Sequence, residues 1–380
     1  MRDLLAELGR WRSAGEAIAL ATLVRVHRTA PRLPGARMAV TASGRIAGSV
    51  SGGCVEGDVA ERARAVLASG RPALARYDIA DELGLAVGLS CGGAIDVLIE
   101  PFAADAAWDA LRAALDERRP AALCTALAPA ALLGRRLAIV GADRDTSAPG
   151  TAGPNRTADR PDALRVVGSI DPTLDGELAA RATPLAGRGG TTELTIDGAP
   201  GAATVLVEGF PPAARLAIVG ATHTAIALAR LATEVGYHVI VVDPRGAFTT
   251  PERFPGVEIV AAWPAEALAA IGLDAWTSVV TLTHDPKFDV PALAAALRSP
   301  APYVGALGSR RTHAGRQERL RAEGFGADDL ARIHAPIGLD LGGRAPAEIA
   351  LAILAEMQAV RHGRAAGMLR ARSTPIHAPA

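Results

Sequence analysis

Beyond the paired prolines Pro211-Pro212, strands that are apolar along their whole length alternate with amphipathic helices, and this constrains the fold more than any other feature. Arg215-Leu216-Ala217-Ile218-Val219-Gly220 reads as a buried strand entering a turn, Thr224 to Glu234 as a helix, and Tyr237 to Asp243 as a second buried strand closed by an acid. A continuously apolar strand needs cover on both faces, which βαβ units in a parallel sheet provide. Further strands at Val257–Val260, Ser278–Leu282 and Pro302–Ala306 alternate with helices near 264–271, 290–298 and 312–323. The expectation for 213–380 is a Rossmann-like, doubly wound parallel sheet.

At 380 residues the chain exceeds one comfortable core, and the double proline marks the boundary with a first domain, 1–212. That domain reads as α+β. An amphipathic helix opens it, Ile18 to Val26 is a strand, and Arg37–Val40 and Arg45–Val50 form a hairpin around Ser43-Gly44. A helix runs from Glu56 to Ser69, stopped by Gly70, and Ala94 to Glu100 is a continuous apolar strand ended by Pro101. Cys124 sits in another apolar run and is read as packing. Residues 143–165 are rich in Pro, Gly, Thr, Asp and Arg and nearly free of large apolar groups, so a mobile insertion is expected there.

Two loops in the first domain pair a thiol with consecutive glycines: Ser51-Gly52-Gly53-Cys54-Val55-Glu56 and Ser90-Cys91-Gly92-Gly93. Glycines at positive φ can turn successive N–H groups into an anion-binding concavity, and a cysteine beside such a nest has its thiolate favoured. The first loop also precedes a helix N-terminus, which adds to that effect. Two readings stand: tight turns with buried thiols, or a site for sulfur chemistry or a phosphorylated ligand, with Cys54 and Cys91 as its reactive thiols and Glu56 as a proton handler or a helix-start acid.

In the second domain a dinucleotide fingerprint would fall on Gly220, Thr222 and Ala225, with Asp243 as the ribose acid. Thr222 stands where a glycine would let a pyrophosphate approach the backbone, so NAD(P) is not expected as a resident cofactor. Ligands of open α/β sheets bind outside the carboxyl ends of the strands. Two loops fall there: one carries His284 and Asp285, the other runs Gly308-Ser309-Arg310-Arg311 into a helix and suits a phosphate. Pro336-Ile337-Gly338-Leu339-Asp340 then turns toward a long C-terminal helix, with Glu348 placed for an interaction in its first turn.

Forty basic and forty acidic residues cancel, so no overall field steers the chain to nucleic acid or an anionic membrane. Lys287 is the only lysine, and there is no phosphate-binding Walker lysine, no zinc-ligand spacing and no serine-nucleophile elbow. No metal ligands are therefore assigned. The first residues do not form a leader peptide, and no apolar run reaches membrane-spanning length, so a cytoplasmic protein is expected.

These residues carry a resemblance. Gly48-Ser49-Val50-Ser51-Gly52-Gly53-Cys54-Val55-Glu56 and Gly88-Leu89-Ser90-Cys91-Gly92-Gly93 resemble the two motifs of the XdhC/CoxI family, accessory factors of molybdenum hydroxylases. Val242-Asp243-Pro244-Arg245, Thr283 to Asp289, Tyr303 to His313 and Pro336 to Asp340 are similar to that family's Rossmann domain. The resemblance implies a chaperone rather than a turnover enzyme. It would bind molybdenum cofactor (molybdopterin), shield it while a cysteine desulfurase supplies the sulfido ligand, and deliver it to an apo molybdenum hydroxylase of the xanthine dehydrogenase or CO dehydrogenase type. A homodimer is compatible with it. Two other readings are left open: an NAD(P)-dependent oxidoreductase using Asp243, and a docking scaffold whose glycines only shape turns. Cofactor-binding positions are then Ser51, Gly52, Gly53, Gly92, Gly93, Gly220, Asp243, His284, Asp285, Gly308, Ser309, Arg310, Arg311 and Asp340.

Overall fold

A computed structural model describes residues 2–27, 30–78, 93–103, 105–141, 164–198, 201–371 and 373. Its contacts divide the chain into two compact units, Met1–Pro212 and Ala213–Pro379. The 143–165 insertion lies outside the described residues except for Leu164 and Arg165, which open a strand, and so does the second glycine-cysteine loop as far as Gly92.

The first unit is built twice on one plan. Helix α1 (Arg2–Ser13) leads into β1 (Ile18–His27), β2 (Arg37–Thr41) and β3 (Ile46–Gly48), then α2 (Glu56–Ser69), β4 (Ala73–Asp78) and β5 (Ala94–Pro101). The sequence of elements then repeats as α3 (Ala106–Asp116), β6 (Ala121–Ala128), β7 (Arg136–Gly141), β8 (Leu164–Gly168), α4 (Asp175–Arg188), β9 (Gly190–Ile196) and β10 (Ala203–Phe210). Both halves make five-stranded antiparallel sheets of matching order, β3-β2-β1-β5-β4 and β8-β7-β6-β10-β9. The α+β character is legible in the sequence; this duplication is not.

Strand alternation sorts side chains to the two faces of each sheet. Ala19, Ala21 and Leu23 of β1 pack with Val59, Ala63 and Val66 of α2, while Ile18 and Leu20 join α1, α3 and strands of the other sheet. Cys124 and Ala126 of β6 likewise face Leu178 and Ala182 of α4. The two inner faces meet through Val24, Leu98, Leu127 and Leu206.

A reciprocal pair of buried salt bridges joins the halves. Arg37 opens β2 and lies opposite Thr22; Arg136 opens β7 and lies opposite Thr125. Arg37 of the first half pairs with Glu208 of the second, and Arg136 of the second pairs with Glu100 of the first. Both guanidiniums sit over the Trp108 ring, at 5.6 and 5.5 Å from its centroid. Residue i meeting j while the equivalent of j meets the equivalent of i is the contact pattern of a two-fold interface, here within one chain.

In the second unit every sheet pairing is parallel. β11 (Arg215–Val219), β12 (His238–Val242), β13 (Glu258–Val260), β14 (Thr277–Thr281), β15 (Val304–Ala306) and β16 (Ile333–His334) lie in the order β13-β12-β11-β14-β15-β16. Leu216 and Ile218 of β11 pack toward α5 (His223–Glu234) and α10 (Pro346–Arg361); Ala217 and Val219 pack toward α6 (Pro264–Ile271) and α7 (Pro286–Leu297). This double cover is why the strands read as continuously apolar. Helices α8 (Arg310–Ala322) and α9 (Ala327–Ala331) complete the second face through Leu320 and Leu330. The strand order reverses between β11 and β14, which sets a crevice at their carboxyl ends. No helix among the described residues is long and apolar enough to cross a membrane.

Candidate functional site

The loop from β3 to α2 closes around its own carboxylate. Glu56 Oε1 accepts from the Ser49 hydroxyl (2.5 Å) and the amides of Val50 (3.2 Å), Ser51 (2.9 Å) and Gly52 (3.1 Å). Its Oε2 accepts from the Ser51 hydroxyl (2.6 Å) and the amides of Gly53 (3.0 Å) and Val55 (3.1 Å). The nest of N–H groups read from Gly52-Gly53 therefore exists, and the chain fills it from within. Burial alone would raise the Glu56 pKa, but the hydroxyls of Ser49 and Ser51 and the loop amides outweigh it and bring the group down to about 2. At neutral pH Glu56 is an anchoring carboxylate, far from the range suited to proton transfer.

Anchored this way, the loop places Gly52 and Gly53 at the surface with φ of +89° and +120°, a region that favours glycine. Ser51 is buried, and its hydroxyl accepts the amides of Cys54 (3.0 Å) and Val55 (3.1 Å). Cys54 is half-buried, in no disulfide, on a turn fixed at both ends.

The duplicated half supplies an internal comparison. Gly48-Ser49-Val50-Ser51-Gly52-Gly53-Cys54-Val55-Glu56 has as its counterpart Gly168-Ser169-Ile170-Asp171-Pro172-Thr173-Leu174-Asp175, one residue shorter. Gly48 and Gly168 end β3 and β8 at φ +77° and +83°, and a Cβ on either would run into the carbonyl oxygen of Arg37 or Arg136. Asp175 accepts the amides of Ile170 (3.0 Å) and Asp171 (3.2 Å), as Glu56 accepts those of Val50 and Ser51. The positive-φ glycine and the helix-start carboxylate are thus what the strand-to-helix turn requires. The Gly-Gly-Cys segment is not, since Pro172-Thr173 completes the same turn without a thiol.

Cys124 lies in β6 with no exposure, and burial first, with the Glu208 charge after it, pushes its thiol up to about 12. Ser90, Cys91 and Gly92 lie outside the described residues; Gly93 leads into β5, whose first residue Ala94 pairs with His27 and Asp78. Among the described residues no cluster of three or more His, Cys, Asp or Glu side chains is arranged to hold a metal.

In the second unit, Gly220, His284, Asp285 and the Gly308–Arg311 loop all stand at the carboxyl edge of the sheet. Gly220 has φ +107°, and a Cβ there would lie 2.5 Å from Thr283 Cγ2, so only glycine lets the β11 and β14 loops approach this closely. Thr222 caps α5, accepting the Ala225 amide at 3.2 Å. Asp243 is buried and fully engaged: Oδ2 takes the Ala221 amide (2.9 Å) and Arg245 Nη2 (2.6 Å), and Oδ1 takes the Arg245 amide (3.0 Å) and Nε (2.8 Å). Burial opposes its ionisation, yet the Arg245 and Ala221 bonds hold its pKa below the usual carboxylate value.

Asp285 caps α7 by accepting the Lys287 amide (3.0 Å), and exposed His284 just before it has φ +61°, uncommon for a residue with a side chain. Ser309 caps α8 by accepting the Thr312 amide (3.2 Å), leaving Arg310 and Arg311 exposed on its first turn. Asp340 is exposed, and Glu348 accepts the amides of Arg344 and Ala345, both at 2.8 Å. Two residues outside the set predicted from sequence complete the site: Ser49, which tightens the Glu56 cradle, and Arg245, which neutralises Asp243. Buried Arg316, also outside that set, reaches back along α8 to pair with Asp289; Asp289 in turn accepts the Thr283 hydroxyl at 2.6 Å. The spacing Asp243-Pro244-Arg245 was the one available signal for the second of these.

Comparison with known proteins agrees with this architecture. The chain is 29% identical to the molybdenum cofactor insertion chaperone PaoD of Escherichia coli over 92% of its own length and 85% of that protein. It is 27% identical to a probable xanthine dehydrogenase subunit of Bacillus subtilis over 90% of this chain and 92% of that one. A Bacillus halodurans crystal structure described as a xanthine dehydrogenase superposes with a TM-score of 0.67 at 22% identity, covering 94% of this chain and 96% of that chain, which shows a shared fold. The sequence model of the XdhC and CoxI family matches residues 11–78, and that of the XdhC Rossmann domain matches 216–357. With more than half of its length matched by these two models, the chain belongs to the XdhC and CoxI family.

Proposed function

We propose that the protein is an accessory factor that binds molybdenum cofactor, keeps it while a cysteine desulfurase supplies its sulfido ligand, and delivers it to an apo molybdenum hydroxylase of the xanthine dehydrogenase or CO dehydrogenase type. Full-length similarity to a chaperone named for molybdenum cofactor insertion supports the general role. The observation that carries the reading to residues is the contrast between the two halves. Turn and carboxylate recur in both, whereas Gly52-Gly53-Cys54 occurs in one only, so this segment answers to a ligand rather than to the fold.

The donor chemistry fits the cofactor. A thiol is a soft ligand suited to a thiophilic metal or its sulfur ligands, and Cys54 is held at the tip of a turn whose amides are already satisfied. Bound there, molybdenum cofactor would supply the metal centre on which the client hydroxylase depends. Cys54 lines and retains its metal-sulfur end, Gly52 and Gly53 allow close approach of the backbone, and Glu56 keeps the turn in shape. The engagement of both Asp243 oxygens leaves no free carboxylate to take a ribose diol, which supports a cofactor other than a nicotinamide dinucleotide.

The experiment is co-expression with a client hydroxylase in a cofactor-producing host, measuring bound pterin and molybdenum and the client's activity. Cys54→Ala and Cys91→Ala are expected to lower cofactor retention and client activation at least about tenfold while leaving the melting temperature unchanged. Full retention and full activation in both variants would remove the thiols from the proposal.

A further inference from the structure

We propose that the carboxyl edge of β11, β12 and β13 binds a planar heteroaromatic ring bearing a phosphate, on a platform of guanidinium and aromatic side chains centred on Phe248. This deepens the preceding reading, because molybdopterin is a phosphorylated pterin, and it rests on that reading only for the identity of the ring.

The platform follows from how Asp243 is used. In a dinucleotide site the acid after the second strand faces the ribose, where its charge would repel an extra phosphate. Here Arg245 folds back to bind that acid through Nε and Nη2, so the position presents a guanidinium instead. Its Cζ lies 4.8 Å from the Phe248 centroid and 5.5 Å from that of Phe288. Arg253 stands 5.3 Å from the same Phe248 ring, fixed by bonds from Nη1 to the Phe248 carbonyl and Nη2 to the Ala221 carbonyl, both 3.1 Å. Phe248 nevertheless stays 42% exposed. Beside it, Trp263 is 49% exposed with its ring 5.3 Å from Phe288, and Lys287 Nζ lies 4.9 Å from the Phe288 ring.

Three cations and two exposed rings are thus held in place at the edge where such sheets bind ligands. The carboxylates close to them, Asp243 and Asp285, are each paired with one of those cations. Fixed aromatic and guanidinium planes stack on a flat heterocycle with little further ordering cost, and the guanidinium N–H groups that Arg245 and Arg253 do not spend on Asp243 and the two carbonyls can donate to phosphate oxygens. Neither neutral sugars nor aliphatic acids would use both properties.

The test titrates the full-length protein with FMN (pteridine-type ring plus phosphate), riboflavin (ring alone), CMP (nucleotide) and inorganic phosphate, following flavin and tryptophan fluorescence. FMN is expected to bind saturably and about fivefold or more tighter than riboflavin, with added salt weakening FMN and not riboflavin. Phe248→Ala should weaken both flavins about tenfold, and Arg245→Gln should reduce FMN affinity to that of riboflavin. Trp263→Ala replaces Phe248→Ala if the latter unfolds. Competition by CMP at the affinity of FMN would identify a nucleotide as the ring source; FMN binding that CMP does not displace would identify a pteridine. The proposal is overturned if neither FMN nor CMP binds below about 1 mM, or if binding is unchanged in folded variants. That negative result together with normal client activation would leave the accessory role standing. Flavin binding by a protein that never retains pterin would sink the accessory role and leave the platform.

Discussion

Glu56 shows how far one side chain can redirect a site. Consecutive glycines beside a helix start predict an anion nest, and the nest formed, but its anion is covalently part of the chain. Local sequence could name the donors and could not tell that a residue three positions beyond Gly53 would satisfy them. Because the folded pKa of about 2 lies below the unfolded carboxylate value near ~4.3, the stabilisation is fully present above about pH 4.3 and is lost as pH falls toward 2. Glu56→Gln, which sets an amide against the loop N–H groups, is expected to cost about 1–3 kcal/mol at pH 7 by urea unfolding, with the difference from wild type shrinking as pH falls below about 4.3. An unchanged difference at pH 2.5 would mean that Glu56 is not the ionised anchor described above.

At the scale of elements, the β11–α5 turn is governed by close approach rather than by ligand contacts. Gly220 meets Thr283, Thr222 caps the helix, and Asp243 ties the Ala221 amide to the end of β12. In the sequence Thr222 is an obstacle to pyrophosphate; in the folded chain it is the cap of α5, and a threonine before a helix serves both descriptions. Gly220→Ala is expected to destabilise the protein by about 1–3 kcal/mol, from the strained φ and the clash with Thr283. Gly246→Ala, with no atom near its added Cβ and no positive φ, should stay within about 0.5 kcal/mol. Thermal unfolding of the two variants side by side checks this, and equal melting temperatures would refute it.

For the molecule as a whole, the deciding feature of the first unit is its internal duplication and the exchanged ion pairs at its centre. Removing Glu208 strands the buried Arg37 charge, so Glu208→Gln is expected to cost about 3 kcal/mol or more in chemical unfolding, whereas Glu100→Gln is expected to cost less because Arg136 keeps its 3.0 Å pair with Asp105. A loss in Glu100→Gln equal to that in Glu208→Gln would contradict the compensating role of Asp105. The parallel second sheet was legible in the sequence, because strands buried on both faces must be apolar throughout and that pattern survives in one dimension. So was the β3–α2 loop, whose glycines, thiol and acid lie within nine consecutive residues. What those groups do emerges with the folded chain. Arg37 and Glu208 are 171 positions apart, Asp243 and Ala221 are 22 apart, and the two halves share a plan while keeping only scattered residues in common. Partnerships of that range are set by strand order and register, which no local stretch of sequence encodes.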